Sequence, residues 1–190
     1  LYYADASLRN CRFDNLLTED ALNIIHSNFE LHDSNFTNLY SDGFDGDFVK
    51  GTVTNCNFER INGDGIDFSG SDVSIRSCNF LDIQDKAVSA GEKTFLKIDS
   101  ISASSVGYGV VSKDQSEVSL SKSSIYNASI SAIAAYQKKA EFGPAKIFVR
   151  DTNFKDSSQN FMIQSLSYAE SDGTPLKSSD FSSQSLYQTK

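Results

Sequence analysis

The sequence predicts an all-β chain folded as a right-handed parallel β-helix of about seven coils, with an irregular C-terminal cap. Three observations predict it: a period of about 22 residues, three apolar columns in each period, and short alternating segments around each column.

The period is read most easily from Val73-Ser-Ile75-Arg-Ser-Cys78-Asn-Phe80-Leu-Asp-Ile83. Its apolar positions recur 22 residues earlier as Val53, Cys56, Phe58 and Ile61, and 23 residues later as Leu96, Ile98, Ile101, Ala103 and Val106. The first column runs Phe13, Phe36, Phe58, Phe80, Ala103, Ile125, Phe154. The second runs Leu22, Phe44, Ile66, Val88, Val110, Ile133, and the third Leu16, Leu39, Ile61, Ile83, Val106, Ala128. Three columns imply three inward-facing segments per coil. Alternation in Ile66-Asp-Phe68 and Val53-Thr-Asn-Cys56 makes those segments strands, which stack like on like at ~4.8 Å. Leucine-rich repeats need a fixed Leu/Asn pattern that is missing, and helical repeats need a 3.6-residue period.

The coils are expected over 1–154, with residues 1–7 a truncated first coil. From Lys155 the columns fade into a Ser-rich stretch with Gly173 and Pro175, expected to be an irregular cap of the same domain over 155–190. The chain starts at Leu1 without Met, so it is expected to continue into further domains on its N-terminal side.

The net charge of −8 repels nucleic acid and anionic lipid, and no apolar run approaches the ~20 residues that span a bilayer, so neither partner is expected. Cys56 and Cys78 fall in one column with Cys11 and Ser34. Strand spacing there permits a disulfide but equally suits stacked free thiols, and reduced cysteines are expected. The neighbouring column Arg12, Asn35, Asn57, Asn79 predicts an amide ladder along the axis. His26 and His32 are expected to lie apart from both the acidic cluster and the insertion described next.

The sharper signals follow the second column. Asp42, Asp45, Asp47, Asp64 and Asp67 crowd two neighbouring coils, and like charges across strands destabilise. Solvent, a raised pKa or a hard cation such as Ca²⁺ would relieve them. The plainer reading is that Asp42-Gly and Asp64-Gly make turns, with Gly at positive φ. Asp45 and Asp67 on adjacent coils also match the ~5–5.5 Å carboxyl spacing of retaining glycosidases. A second signal is an insertion of seven residues around Gln137-Lys-Lys-Ala-Glu-Phe-Gly-Pro144. Loops on a rigid scaffold carry binding. Tyr136, Lys138 and Lys139 would face Glu92, Lys93, Lys113 and Asp114 as a substrate-binding flank, with Lys113 or Tyr136 placed for proton abstraction. The plain alternative is a solvated, salt-bridged edge.

The whole pattern from about Leu8 to Phe154 resembles the pectin-lyase-like superfamily of right-handed β-helices. The phrases Gly63-Asp-Gly-Ile-Asp-Phe-Ser-Gly-Ser71 and Asp85-Lys-Ala-Val-Ser-Ala-Gly-Glu92 resemble repeat domains of bacterial surface and exopolysaccharide systems. That superfamily holds lyases, hydrolases, epimerases and passive adhesins, so the fold does not choose among them. Gly-Asp-Gly-Ile-Asp is similar to the Asp-Gly-Ile-Asp phrase of polygalacturonase-type hydrolases, but the double Asp, Gly-His-Gly and Arg-Ile-Lys motifs of that family are missing. The resemblance implies a secreted, cell-surface or periplasmic domain that binds or processes a polysaccharide or surface glycan. The alternative is a non-catalytic structural or adhesion module.

Overall fold

The computed structural model describes residues 1–187. Left-handed corners turn the chain three times per coil. One set of corner residues runs Asn10, Asp33, Asn55, Ser77, Ser100, a second Asn15, Asn38, Arg60, Asp82, Ser105, and a third His26, Phe48, Gly70, Glu92, Asp114, all at positive φ. Asn, Asp and Gly tolerate that conformation best, because a short polar side chain can bond locally and Gly has no Cβ. The abundance of Asn and Asp in the sequence is thereby accounted for.

Between corners lie three strand faces. On the first face eight parallel strands stack, from Ala6–Arg9 through Asp72–Arg76 to Tyr168–Ser171. On the second, Arg12–Asp14, Asn35–Leu39 and Asn57–Ile61 stack in register, and on the third Asp20–Ile25, Asp42–Asp47 and Ile66–Ser69. From Asn79–Gly91 onward, through Ser102–Lys113 and Ser124–Tyr136, one long strand spans both of these faces. All three predicted apolar columns point inward and form one buried core. Within it Phe13, Phe36, Phe58 and Phe80 stack ring on ring, with centroids 4.4, 4.6 and 4.9 Å apart.

Polar ladders close the corners. Asn79 Nδ2 donates to Asn57 Oδ1 at 2.9 Å, and Asn57 Nδ2 to Asn35 Oδ1 at 3.0 Å, which is the expected amide ladder. Buried hydroxyls take the amides that the strands leave over: Ser71 Oγ accepts from Val49 N, Thr94 Oγ1 from Ser71 N, and Ser116 Oγ from Thr94 N. Cys11, Cys56 and Cys78 are free thiols, the last two buried.

Two expectations need correction. The solenoid does not stop at Phe154: Phe161–Ile163 pairs with Ser124–Tyr136, and Tyr168–Ser171 pairs with Lys146–Arg150, so the stack reaches about eight turns. The glycines of Asp42-Gly and Asp64-Gly are not at positive φ. They are small because a Cβ on Gly43 would lie 2.5 Å from the Gly65 carbonyl oxygen, and one on Gly65 would lie 2.7 Å from that of Ala87. Coil stacking, not turn conformation, demands glycine there.

Candidate functional site

The predicted site residues all gather on the outer side of the third face and its following corner. Three outward columns build this flank. The first runs Asp20, Asp42, Asp64, Lys86, Tyr108, Ser131; the second Asn23, Asp45, Asp67, Ser89, Val111, Ala134; the third Ile25, Asp47, Ser69, Gly91, Lys113, Tyr136. The N-terminal half is therefore acidic. The C-terminal half is apolar and aromatic.

Asp42 and Asp64 are structural. Asp42 Oδ1 accepts the Asp64 amide at 2.8 Å, and Asp64 Oδ1 accepts the Lys86 amide at 3.0 Å and the Lys86 ammonium at 3.1 Å. Lys86 also bonds Asp85 Oδ2 at 2.7 Å, so a buried three-member cluster sits at this corner. Burial pushes the Asp64 carboxyl up while the Lys86 ammonium opposes it. Neither Lys86 nor Asp85 was expected at the site, although Lys86 stands 22 residues after Asp64 and the period could have found it.

Asp45, Asp47 and Asp67 remain on the flank proper. Asn23 Nδ2 donates to Asp45 Oδ2 at 2.8 Å and to Asp20 Oδ2 at 3.0 Å. Burial, then the charges of Asp47, Asp20, Asp67 and Asp42, raise Asp45 to about 8. Burial first, then Glu92 and Asp67, raise Asp47 as well. Asp67 Oδ2 lies 3.6 Å from the Lys113 ammonium, whereas its Oδ1 is buried without a hydrogen-bond partner. Its register neighbour Ser89 is fully buried, and Ser89 Oγ also has no partner. Among the described residues no three or more His, Cys, Asp or Glu converge as ligands of one ion. The five carboxylates expected to hold Ca²⁺ thus do not share one point, since Asp42 and Asp64 turn to backbone amides.

The insertion is braced rather than free. Asp114, only 1 % exposed, accepts the Lys138 amide at 2.6 Å and the Lys139 amide at 2.8 Å through Oδ1. Gln115 N donates to Gly143 O, the Lys139 ammonium pairs with Glu92, and the Lys93 ammonium sits 5.9 Å over the Phe142 ring. Desolvation, then the positive charges of Lys113 and Lys86, lower the Lys138 ammonium. Of the expected binding residues, Asp114 therefore holds the loop in place, and Glu92 and Lys139 clamp it to the previous coils. Tyr136 is 1 % exposed beneath Phe181, at a ring separation of 6.4 Å, and does not face an open groove.

His26 is also placed by the structure. It stacks between Tyr3 and Phe48, at 4.9 and 4.8 Å, and its amide donates to Asp47 O, so it borders the acidic cluster from which it was expected to stand apart.

A family model described as a right handed beta helix region matches residues 1–154. No curated protein matches the chain.

Proposed function

The chain belongs to the right-handed β-helix family, and from that premise we propose that it binds an extended, largely uncharged polysaccharide along the acidic flank. One observation carries the proposal: Asp67 and Ser89 are register neighbours on adjacent coils, and Asp67 Oδ1 and Ser89 Oγ each lack a hydrogen-bond partner. The Asp67 side chain is 26 % exposed, so a ligand that shifts the covering side chains would reach them. Buried polar atoms left unpaired cost ~1–3 kcal/mol each, and a ligand that pairs them recovers that energy. Sugar hydroxyls donate to carboxylates and accept from hydroxyl and amide groups, so they suit a row of Asn23, Asp45, Asp67 and Ser89. Successive coils repeat that row at ~4.8 Å, a one-dimensional array for a linear polymer. The negative field disfavours an acidic glycan.

Calcium belongs to the same proposal as an accessory. Asp45 and Asp67, register neighbours on adjacent coils, are the pair left for it with Asp47 nearby, and the crowding of these carboxylates is the observation that favours it. Location outside the cell, secreted, surface-bound or periplasmic, goes with a polysaccharide partner and is proposed on that ground.

A second reading, a structural or adhesion module of a larger surface protein, draws on a different observation. Asp42, Asp64, Glu92, Asp114 and Lys139 are all engaged in contacts within the chain. A glycan array run with calcium and with chelator, followed by reducing-end and unsaturated-product analysis of each hit, separates the readings. Binding to neutral polysaccharides supports the first, product release would add catalysis, and an array without hits leaves the structural module.

A further inference from the structure

The apolar half of the flank is covered, and the cover comes from the far end of the chain. Val111 and Ala134 are fully buried, and Tyr108 and Tyr136 are 4 % and 1 % exposed, although all four stand in outward columns. Together with Met162, Phe181 and Leu186 they form a small apolar cluster separate from the solenoid core. Residues 178–187 thus run across the flank, over the coils of Tyr108 and Tyr136.

Among the described residues, the backbone bonds of this segment to the body are gathered at its root. At its root Ser179 N donates to Ile163 O at 2.9 Å, Ser165 N donates to Ser179 O at 3.0 Å, and Gln164 Nε2 donates to Phe181 O at 2.9 Å. Further on, the short 3-10 turn Ser183–Tyr187 bonds within itself, through Ser185 to Ser182 O. Five of its residues are Ser, and most of the segment is exposed. A cleft of about 720 Å³ opens beside it, lined by Gln137, Gln164, Leu166, Phe181 and Ser182. A short, Ser-rich, mostly exposed segment outside the strand ladders belongs to the low-stability end of a structure, where local opening precedes global unfolding.

We propose that residues 178–187 are a displaceable strap that occludes the C-terminal half of the polysaccharide flank. The regulatory part of this proposal rests on the polysaccharide reading above. Released, the strap uncovers a floor of Tyr108, Val111, Ala134 and Tyr136, in which Val111 and Ala134 continue the column of Asp67 and Ser89 while the two tyrosines flank it. Aromatic side chains with a polar tip suit the mixed apolar and hydroxylated faces of sugars. Opening would extend the acidic row with an apolar, aromatic platform on the coils the strap now covers.

The test places a reporter under the strap. In a Cys11→Ser background, Ala134→Cys is labelled with a maleimide under native conditions, in the full chain, in a chain ending at Lys177, and in a Phe181→Ser/Leu186→Ser variant. The last keeps the backbone and weakens the grip should truncation hinder folding. The expected result is slow labelling of the full chain that does not track denaturation, and labelling faster by about tenfold or more when the strap is cut or weakened. Labelling that follows global unfolding in the full chain, with no acceleration in either variant, overturns the strap. Native gels cast with dextran, mannan or β-glucan then read regulation, where the opened forms should be retarded more than the full chain. Accelerated labelling with equal, non-zero retardation overturns occlusion while leaving mobility established. Accelerated labelling with no retardation of any form instead sinks the polysaccharide reading and leaves the strap standing.

Discussion

Asp64 Oδ1 accepts both the amide and the ammonium of Lys86 on the next coil, at 3.0 and 3.1 Å, so one carboxylate joins adjacent turns through backbone and side chain together. Lys86 also holds Asp85 at 2.7 Å, and the three groups are almost wholly buried. Replacing such a cluster by apolar groups can be neutral, but removing one member strands a charge. Lys86→Met should therefore cost ~3–5 kcal/mol, read as a lowered urea midpoint at neutral pH. A midpoint equal to the wild type would show that Asp64 and Asp85 find other partners.

The phenylalanine stack offers a second check. Phe80 is 1 % exposed and lies 4.9 Å from Phe58, ring on ring. Phe80→Ala removes its ring between two layers that cannot collapse independently, so ~3–5 kcal/mol of stability should be lost through the cavity. A loss near that of a surface substitution would contradict the observed register.

Much of this was legible beforehand because a solenoid writes its geometry as a period. Phe13, Phe36, Phe58 and Phe80 could be aligned by counting, and so could Asn35, Asn57 and Asn79. The last turn was not legible: the insertion spaces Val118 and Ile147 by 29 residues, and beyond it Phe161, Ile163 and Ala169 are too few to restate the pattern. Nor could spacing reveal that Tyr136 is covered, since the cover comes from Phe181, 45 residues on and outside the repeat. The carboxylate crowding was legible in composition and spacing. Its division into backbone-bonding Asp42 and Asp64 and flank-facing Asp45 and Asp67 was not, because that depends on which oxygen finds an amide.

Stability should fall as pH rises through the neutral range. Asp45 titrates at about 8 in the folded chain against an ordinary value of 3.8. Between these values the native state holds a proton that the unfolded chain has lost, so unfolding releases a proton and rising pH favours it. The associated stability is fully present below pH ~4 and is gone once pH passes the folded value. Asp42 and Asp47, raised in the same direction, act alike. Melting temperature should thus be higher at pH 5 than at pH 9, and Asp45→Asn should flatten the difference. A melting temperature that increases from pH 5 to pH 9 would contradict the shift.

Calcium can be tested where the carboxylates are ionised. At pH 9, millimolar Ca²⁺ should raise the melting temperature and chelator should reverse it, because a ligand bound only by the native state stabilises it. The effect should vanish in Asp45→Asn/Asp67→Asn. Identical curves with Ca²⁺ and with chelator would remove calcium from the proposal.

The central claim, that the acidic flank binds a neutral polysaccharide, meets its most direct test in affinity electrophoresis. The full chain and its Asp45→Asn/Asp67→Asn and Ser89→Val variants are run in native gels with and without dextran, mannan, galactan or β-glucan. Retardation of the wild type by at least one polymer, lost in both variants while their circular dichroism stays that of a folded β-helix, is the predicted result. A wild type that migrates unretarded in every polymer, or variants retarded as strongly as it is, would contradict the claim.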